Sequence, residues 1–262
     1  MKTVFKILFA IAACSVPLLA QASDGTLMTW NVDGLQRMAL VFAPQTSGAG
    51  EKHPLVFAFH GHGGNPRSIS QGMHLQDLWP EAIVVYPQGL PARSRIDPQG
   101  LRPGWQFGSG ENADRDLKFF DAMLTDLKRK YAVDDARIYS TGFSNGAIFS
   151  YLLWAKRGGL FAAFGICSGS IPPLDMITLP RPALIIAGQN DPLLPFAYQQ
   201  RSIEIVRRID GATGPGESCG PMCLRYASST QTPVVTGIHP GGHVYPPWAP
   251  RAITNFFKAH PR

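Results

Sequence analysis

The chain has 262 residues and a formal net charge of +6, and 45% of its residues are hydrophobic. The basic residues are scattered or sit on helix-like stretches such as Lys128-Arg129-Lys130, with no long run of like charge, which argues against a nucleic-acid partner. No segment offers about 18 uninterrupted apolar residues, so no membrane span is expected.

Lys2 and Lys6 precede an apolar stretch from Ile7 to Leu19, and Ala20-Gln21-Ala22 then gives the small-x-small pattern of a signal-peptidase site. Residues 1–22 are therefore read as a signal peptide, and 23–262 as one secreted or periplasmic catalytic domain. Ile11-Ala12-Ala13-Cys14 also resembles a lipoprotein box, but anchoring at Cys14 would leave the apolar segment Val16 to Ala20 just after the lipid. Without Lys2 and Lys6 the formal charge falls from +6 to +4.

Leu27 to Trp30 and Met38 to Phe42 read as two strands around the turn dipeptide Asp33-Gly34, an antiparallel N-terminal hairpin. Five short apolar runs follow: Leu55 to Phe59, Ala82 to Tyr86, Arg137 to Thr141, Ala162 to Cys167 and Ala183 to Ala187. Val234 to Ile238 supplies a late strand. Runs of this length suit strands buried on both faces. Helical periodicity lies between or after them, at Asp114 to Tyr131, Ala147 to Ala155, Phe196 to Ile209 and Ala252 to Ala259. The alternation predicts a mainly parallel central sheet flanked by helices. Gln88 to Glu111 has no period and is rich in Gly, Pro and Arg, which marks a long functional loop.

Gly142-Phe143-Ser144-Asn145-Gly146 lies between the strand ending at Thr141 and the helix beginning at Ala147, the context a GxSxG nucleophile turn requires. A sharp strand-to-helix turn presents the Ser144 hydroxyl above the sheet, beside a helix N-terminus that favours developing negative charge. Serine needs a base. His243, in His239-Pro240-Gly241-Gly242-His243 after the last strand, is the candidate. His239 and His243 have HxxxH spacing, but the intervening Pro-Gly-Gly excludes the helix that would put both on one metal. Asp191, after the strand Ala183 to Ala187, can orient the histidine and stabilise its cation. Asp175 competes for that role but lacks a clean strand before it. The order Ser, Asp, His is that of the α/β-hydrolase fold.

An oxyanion hole needs preorganised N–H donors. The N–H of Asn145, directly after the nucleophile, is one. The other is expected from His60-Gly61-His62-Gly63-Gly64, after an early strand, with His62 assigned and Gly63 the near alternative. His60 and His62 serve loop geometry in this reading and hold no metal. Of Cys167, Cys219 and Cys223, the last two flank a Gly220-Pro221 turn and are expected to form a disulfide, leaving Cys167 buried and free. One CxxxC without further ligand pairs does not make a zinc site.

His60-Gly61-His62-Gly63-Gly64-Asn65, Gly142-Phe143-Ser144-Asn145-Gly146 and Gly241-Gly242-His243-Val244-Tyr245-Pro246 together resemble the secreted esterase group of feruloyl and acetylxylan esterases and polyhydroxybutyrate depolymerases. Asp134-Asp135 before Arg137-Ile138-Tyr139 matches the approach to the nucleophile strand in that group. The resemblance runs from Leu55 to Pro246 and implies a cofactor-free carboxylic-ester hydrolase that works through an acyl-enzyme on a small or polymeric ester. It assigns nucleophile, acid, base and oxyanion roles to Ser144, Asp191, His243, His62 and Asn145. Ala147 departs from the group, which often has a second glycine there. No stretch offers a cap domain, so an open cleft walled by the Gln88-to-Glu111 loop is expected. Trp105 and Trp248 are the candidates to stack on an aromatic acyl group or a sugar ring, which favours a feruloyl-type ester over a bare acetyl group; the alternative reading is a short-chain polyester or oligomer depolymerase.

Overall fold

The computed structural model describes residues 25–44, 50–173 and 175–262. The expected leader, with its cleavage site near Ala22 and the alternative at Cys14, lies outside them. The chain opens with β1 (Thr26–Val32) and β2 (Leu35–Phe42), paired antiparallel about Asp33 and Gly34. Both turn residues have positive φ, 50° and 79°, as the tight turn of a right-twisted hairpin requires. Next come β3 (His53–Phe59), α1 (Pro66–Met73), α2 (Leu75–Leu78) and β4 (Ile83–Pro87). Two short strands, β5 (Leu90–Pro91) and β6 (Pro103–Gly104), pair within the long loop. Then follow α3 (Arg115–Lys130), β7 (Val133–Phe143), α4 (Asn145–Arg157), β8 (Ala163–Cys167), β9 (Ala183–Gly188) and α5 (Phe196–Ile209). The chain closes with β10 (Glu217–Gly220), β11 (Cys223–Tyr226), β12 (Val234–His239) and α6 (Ala249–Ala259).

One sheet of ten strands among the described residues has the order β1-β2-β4-β3-β7-β8-β9-β12-β11-β10. The six central strands, β4 to β12, run parallel, and an antiparallel hairpin is attached at each edge. This is the α/β-hydrolase architecture expected from the alternating runs. The strands carry a core on each face. In β3, Phe57 and Phe59 point to a layer with Phe120 and Phe149, while Val56 and Ala58 point to one with Tyr139, Ile253 and Phe257. All of β3 is buried, which is why its sequence is continuously apolar rather than alternating.

The expected strands match the observed ones to within a few residues at their ends. Helices α1 and α2 and the β10–β11 hairpin had no expectation. Helix α1 is short and polar, and its start is set by Asn65, whose side chain accepts the Ser68 N–H at 2.9 Å ahead of Pro66. Strand β10 is exposed throughout and so has no burial pattern. Cys219 and Cys223 are joined by a disulfide across that hairpin, and Cys167 is buried and free. Among the described residues, no helix is long and apolar enough to cross a membrane.

Candidate active site

Ser144 sits at the junction of β7 and α4 with φ 56° and ψ −121°. Such a backbone is costly for a residue with a Cβ. It is held by the Ser144 N–H donating to the Cys167 carbonyl at 3.0 Å, and by two glycines. A Cβ on Gly142 would lie 2.3 Å from the Gly146 carbonyl oxygen, and one on Gly146 only 2.2 Å from that of Phe59. The turn therefore closes only with glycine at both places. Although Ser144 occupies the N-cap position, its hydroxyl does not cap the helix. It lies 2.7 Å from Nε2 of His243.

The opposite ring nitrogen, Nδ1 of His243, is 2.7 Å from Oδ2 of Asp191. Asp191 follows β9 and His243 follows β12, neighbouring parallel strands, so their loops leave the same end of the sheet. The second oxygen of Asp191 accepts the N–H groups of Leu193 and Leu194 at 2.9 and 2.8 Å, which leaves Oδ2 for the imidazole and for Gln199 at 3.0 Å. Phe143 packs on the His243 ring, with centroids 5.0 Å apart. Asp191, His243 and Ser144 thus form one hydrogen-bonded series with a single His tautomer, Nδ1 protonated and Nε2 free to accept.

Asp175 is elsewhere. Its carboxylate accepts the Ser109 N–H and hydroxyl at 2.9 and 2.7 Å and pairs with Lys156 at 2.7 Å, tying the wall loop to α4. His239 is buried and its Nδ1 accepts the Gly241 N–H at 3.1 Å, shaping the turn that carries His243. No group of three His, Cys, Asp or Glu side chains among the described residues is arranged to hold a metal.

The His60–Gly64 turn passes beside Ser144, where a Cβ on Gly61 would stand 3.4 Å from that of Ser144. The Gly63 N–H is taken by the Pro103 carbonyl at 2.7 Å, which removes Gly63 as a donor to substrate. As the first residue of α4, Asn145 has a main-chain N–H without a partner one turn back. The side chain of Asn145 grips the backbone of Trp105 on both sides, accepting its N–H at 2.7 Å and donating to its carbonyl at 3.1 Å. Burial holds the His60 imidazole down to about 4, so it is neutral. Its Nδ1–H donates to the Gly61 carbonyl and its Nε2 accepts the Gly89 N–H at 3.0 Å.

A cleft of about 270 Å³ opens at Ser144 and His243, and His62 and Asn145 also line it. Its walls are mostly apolar, with Ile96 and Phe107 of the long loop, Ile148 of α4, Leu194 just before α5 and Tyr198 within it, beside the polar Ser94, Arg95 and Ser170. No inserted domain covers it among the described residues. The two tryptophans do not contribute. Trp105 is fully buried between Phe59 and Phe149, with its indole N–H donating to the His60 carbonyl at 2.9 Å, so it has no face left for a ligand. Trp248 lies over Gly237 in a different depression, beside the disulfide hairpin and Phe256. Both assignments to substrate are corrected: an aromatic near a motif in sequence filled the core in one case and covered the sheet in the other. The exposed aromatic of the cleft is Tyr198, which falls off the buried stripe Gln199, Ser202, Ile203 and Val206 of α5. That offset from the apolar stripe was the signal available for it.

No protein-family model matches the chain. Relatives do. A probable feruloyl esterase C of Aspergillus niger is 30% identical over 240 residues, covering 82% of each chain. A bifunctional acetylxylan esterase/xylanase of Neocallimastix patriciarum is 29% identical over 64% of this chain and 23% of its own length. Among solved structures, an acetyl xylan esterase from Aspergillus awamori superposes with a TM-score of 0.70 at 16% identity, covering 89% of this chain and 99% of its own. A ferulic acid esterase from Anaeromyces mucronatus superposes with a TM-score of 0.63 at 15% identity, covering 92% and 91%. At such identities the superpositions speak for the fold, and the Aspergillus niger relative carries the family. With the match extending over four-fifths of both sequences, the chain belongs to the feruloyl and acetylxylan esterase group of carboxylic-ester hydrolases.

Proposed function

We propose that the protein is an exported, single-domain serine esterase that hydrolyses feruloyl-type esters through an acyl-enzyme. The observation that carries this reading is the series Ser144–His243–Asp191, with contacts of 2.7 Å at both links, opening into an apolar cleft.

In the first half-reaction Ser144 Oγ attacks the ester carbonyl while its proton passes to His243 Nε2. Asp191 fixes the reacting tautomer and stabilises the imidazolium. The carbonyl oxygen becomes an oxyanion and accepts the N–H groups of His62 and Asn145, which are held in place before substrate arrives. Collapse breaks the ester C–O bond, and the imidazolium returns its proton to the departing alkoxide. A water then takes the alcohol's place, loses a proton to His243 and attacks the acyl-serine. A second collapse frees the acid and returns the proton to Ser144. Every proton is passed within the site, so the mechanism needs no cofactor.

The named relatives and the apolar lining favour an aromatic acyl group over the hydroxybutyrate units of a polyester. Ile148, Leu194, Phe107 and Tyr198 give a planar acyl group dry surface, and the alcohol portion leaves toward solvent. The leader-like residues 1–22 and the disulfide, which persists in an oxidising compartment, support export. Steady-state kinetics on methyl ferulate, p-nitrophenyl acetate and hydroxybutyrate oligomers tests the reading. The expected order of kcat/KM has methyl ferulate at least about tenfold above the oligomers. Turnover of p-nitrophenyl acetate without turnover of methyl ferulate would remove the acyl assignment, and no turnover of either would remove the esterase.

A further inference from the structure

A single loop grips the side chains of both residues whose main-chain N–H groups form the proposed oxyanion hole. At one end the Trp105 backbone is bonded in both directions to the Asn145 carboxamide. At the other, Oδ2 of Asp97 accepts from Nε2 of His62 at 3.1 Å, and six residues further along the same loop the Pro103 carbonyl accepts the Gly63 N–H. The His62 and Asp97 side chains are only 4% and 10% exposed. The far nitrogen of the ring, Nδ1, is buried with no partner among the described residues, and a Cβ on Gly104 would stand 2.7 Å from it. A ring that donates to a carboxylate through one nitrogen and faces a closed wall with the other has one tautomer and one orientation.

Asp97 is itself fixed. Its Oδ2 also accepts the Arg102 N–H at 2.8 Å, and its main chain closes a two-way bridge with Ser94. The Arg102 amide, with His62 behind it, holds the Asp97 carboxyl down to about 2, so the acceptor is anionic throughout the working range.

The geometry points to Asp97 as a positioning residue for ester hydrolysis, one that acts through the His62 ring to aim the His62 main-chain N–H at the developing oxyanion. This rests on the proposed role of His62 as an oxyanion donor. The tip of the side chain is held by Asp97 and the following peptide by Pro103, so the peptide between Gly61 and His62 is clamped from two sides. A hydrogen bond weakens steeply as its angle departs from linear. The hole matters most when the carbonyl oxygen carries charge, so loosening it raises the barrier with little effect on ground-state binding.

The test is steady-state kinetics on methyl ferulate with Asp97→Ala, Asp97→Asn, His62→Ala and the Asp97→Ala/His62→Ala double variant. Complete removal of one oxyanion donor costs about 10²- to 10³-fold in kcat, so a misaimed donor is expected to cost about 10- to 100-fold. Asp97→Ala should show that loss in kcat with KM within about twofold of wild type. Asp97→Asn keeps an oxygen able to accept from both Arg102 and His62, and should recover kcat to within about threefold. In the His62→Ala background, Asp97→Ala should cost nothing further, because the two residues act as one unit. A reversible boronic acid that forms a tetrahedral adduct at Ser144 should bind Asp97→Ala more weakly by the same factor as the loss in kcat.

Unchanged kcat in Asp97→Ala overturns the proposal, as does a rise in KM at constant kcat or an equal loss in both backgrounds. Rates are expressed per fluorophosphonate-labelled site, so a folding defect in Asp97→Ala lowers the labelled fraction and leaves the per-site kcat to decide. If wild type is not labelled at Ser144 by a fluorophosphonate, the esterase reading itself falls and this inference with it. Full labelling of wild type with any of the adverse Asp97 results overturns only the role of Asp97.

Discussion

Gln199 on α5 donates to the same Asp191 oxygen that receives His243, at 3.0 Å against 2.7 Å. The carboxylate is therefore aimed from two directions, by Gln199 and by the Leu193 and Leu194 amides. In Asp191→Asn those amides retain the carbonyl oxygen, so the NH₂ group faces His243 and enforces the tautomer with Nε2 protonated. Esterase kcat is expected to fall on the order of 10⁴-fold. Gln199→Leu removes only an aiming contact and is expected to cost about 3- to 10-fold. Asp175→Asn should leave kcat within about twofold while lowering the unfolding temperature, since one oxygen ties down Ser109 and Lys156. A large loss in Asp175→Asn with an active Asp191→Asn would reverse the assignment of the acid.

Ser144→Ala should abolish turnover and leave thermal unfolding nearly unchanged, because the hydroxyl caps no helix. Gly146→Ala should do the opposite kind of damage. Its methyl would meet the Phe59 carbonyl, a backbone atom that cannot swing away, and a loss of about 3 kcal/mol is expected, or roughly 6–12 °C in unfolding temperature. Calorimetry on both variants separates the roles.

Replacing Trp248 by Ala should leave kcat/KM for methyl ferulate within about twofold, because that indole lies outside the cleft. Tyr198→Ala should raise KM for aromatic acyl esters by about 2- to 13-fold, the worth of one ring–ring contact, and change p-nitrophenyl acetate little. Trp105→Ala is expected to cost about 3–5 kcal/mol of stability as a core truncation.

Asp210 is fully buried and one of its oxygens has no partner among the described residues. Burial pushes its carboxyl up to about 7, from an ordinary value near 3.8. With the folded value above the unfolded one, the neutral acid is the form the native state prefers. Stability should therefore be greatest below about pH 4 as far as this group is concerned, and decline as pH rises to about 7, by no more than about 4 kcal/mol. Asp210→Asn should flatten that stretch of the profile in urea titrations run from pH 4 to 8. An unchanged slope would show that another group sets it.

Reduction of the disulfide should lower stability by about 2 kcal/mol, the entropy of a five-residue loop, without altering kcat/KM. Cys219 and Cys223 sit on the far edge of the sheet from Ser144, beyond β12.

The architecture was readable because β3, β4, β8 and β9 are buried on both faces, and burial of that kind leaves a continuous apolar run in the chain. The β10–β11 hairpin left no such mark, because β10 is exposed throughout and only Tyr226 of β11 is buried. Ser144, Asp191 and His243 could be named from their neighbours: each stands just past a strand end, where a parallel sheet collects its loops at one edge. Asp97 and Gln199 could not, since their partners lie 35 and 8 residues away and no local pattern distinguishes them from surface polar residues.

The amino-acid order by itself determined the layered sheet, the strained serine turn and the candidate reacting groups, because period, glycine placement and strand-end position are properties of a short stretch of chain. Which aromatic lines the cleft was decided only in three dimensions. Whether an indole faces a cleft or a core depends on what the distant β3 and α4 place beside it, and Phe149 stacks on Trp105 while Phe59 packs against it at right angles, leaving it fully buried.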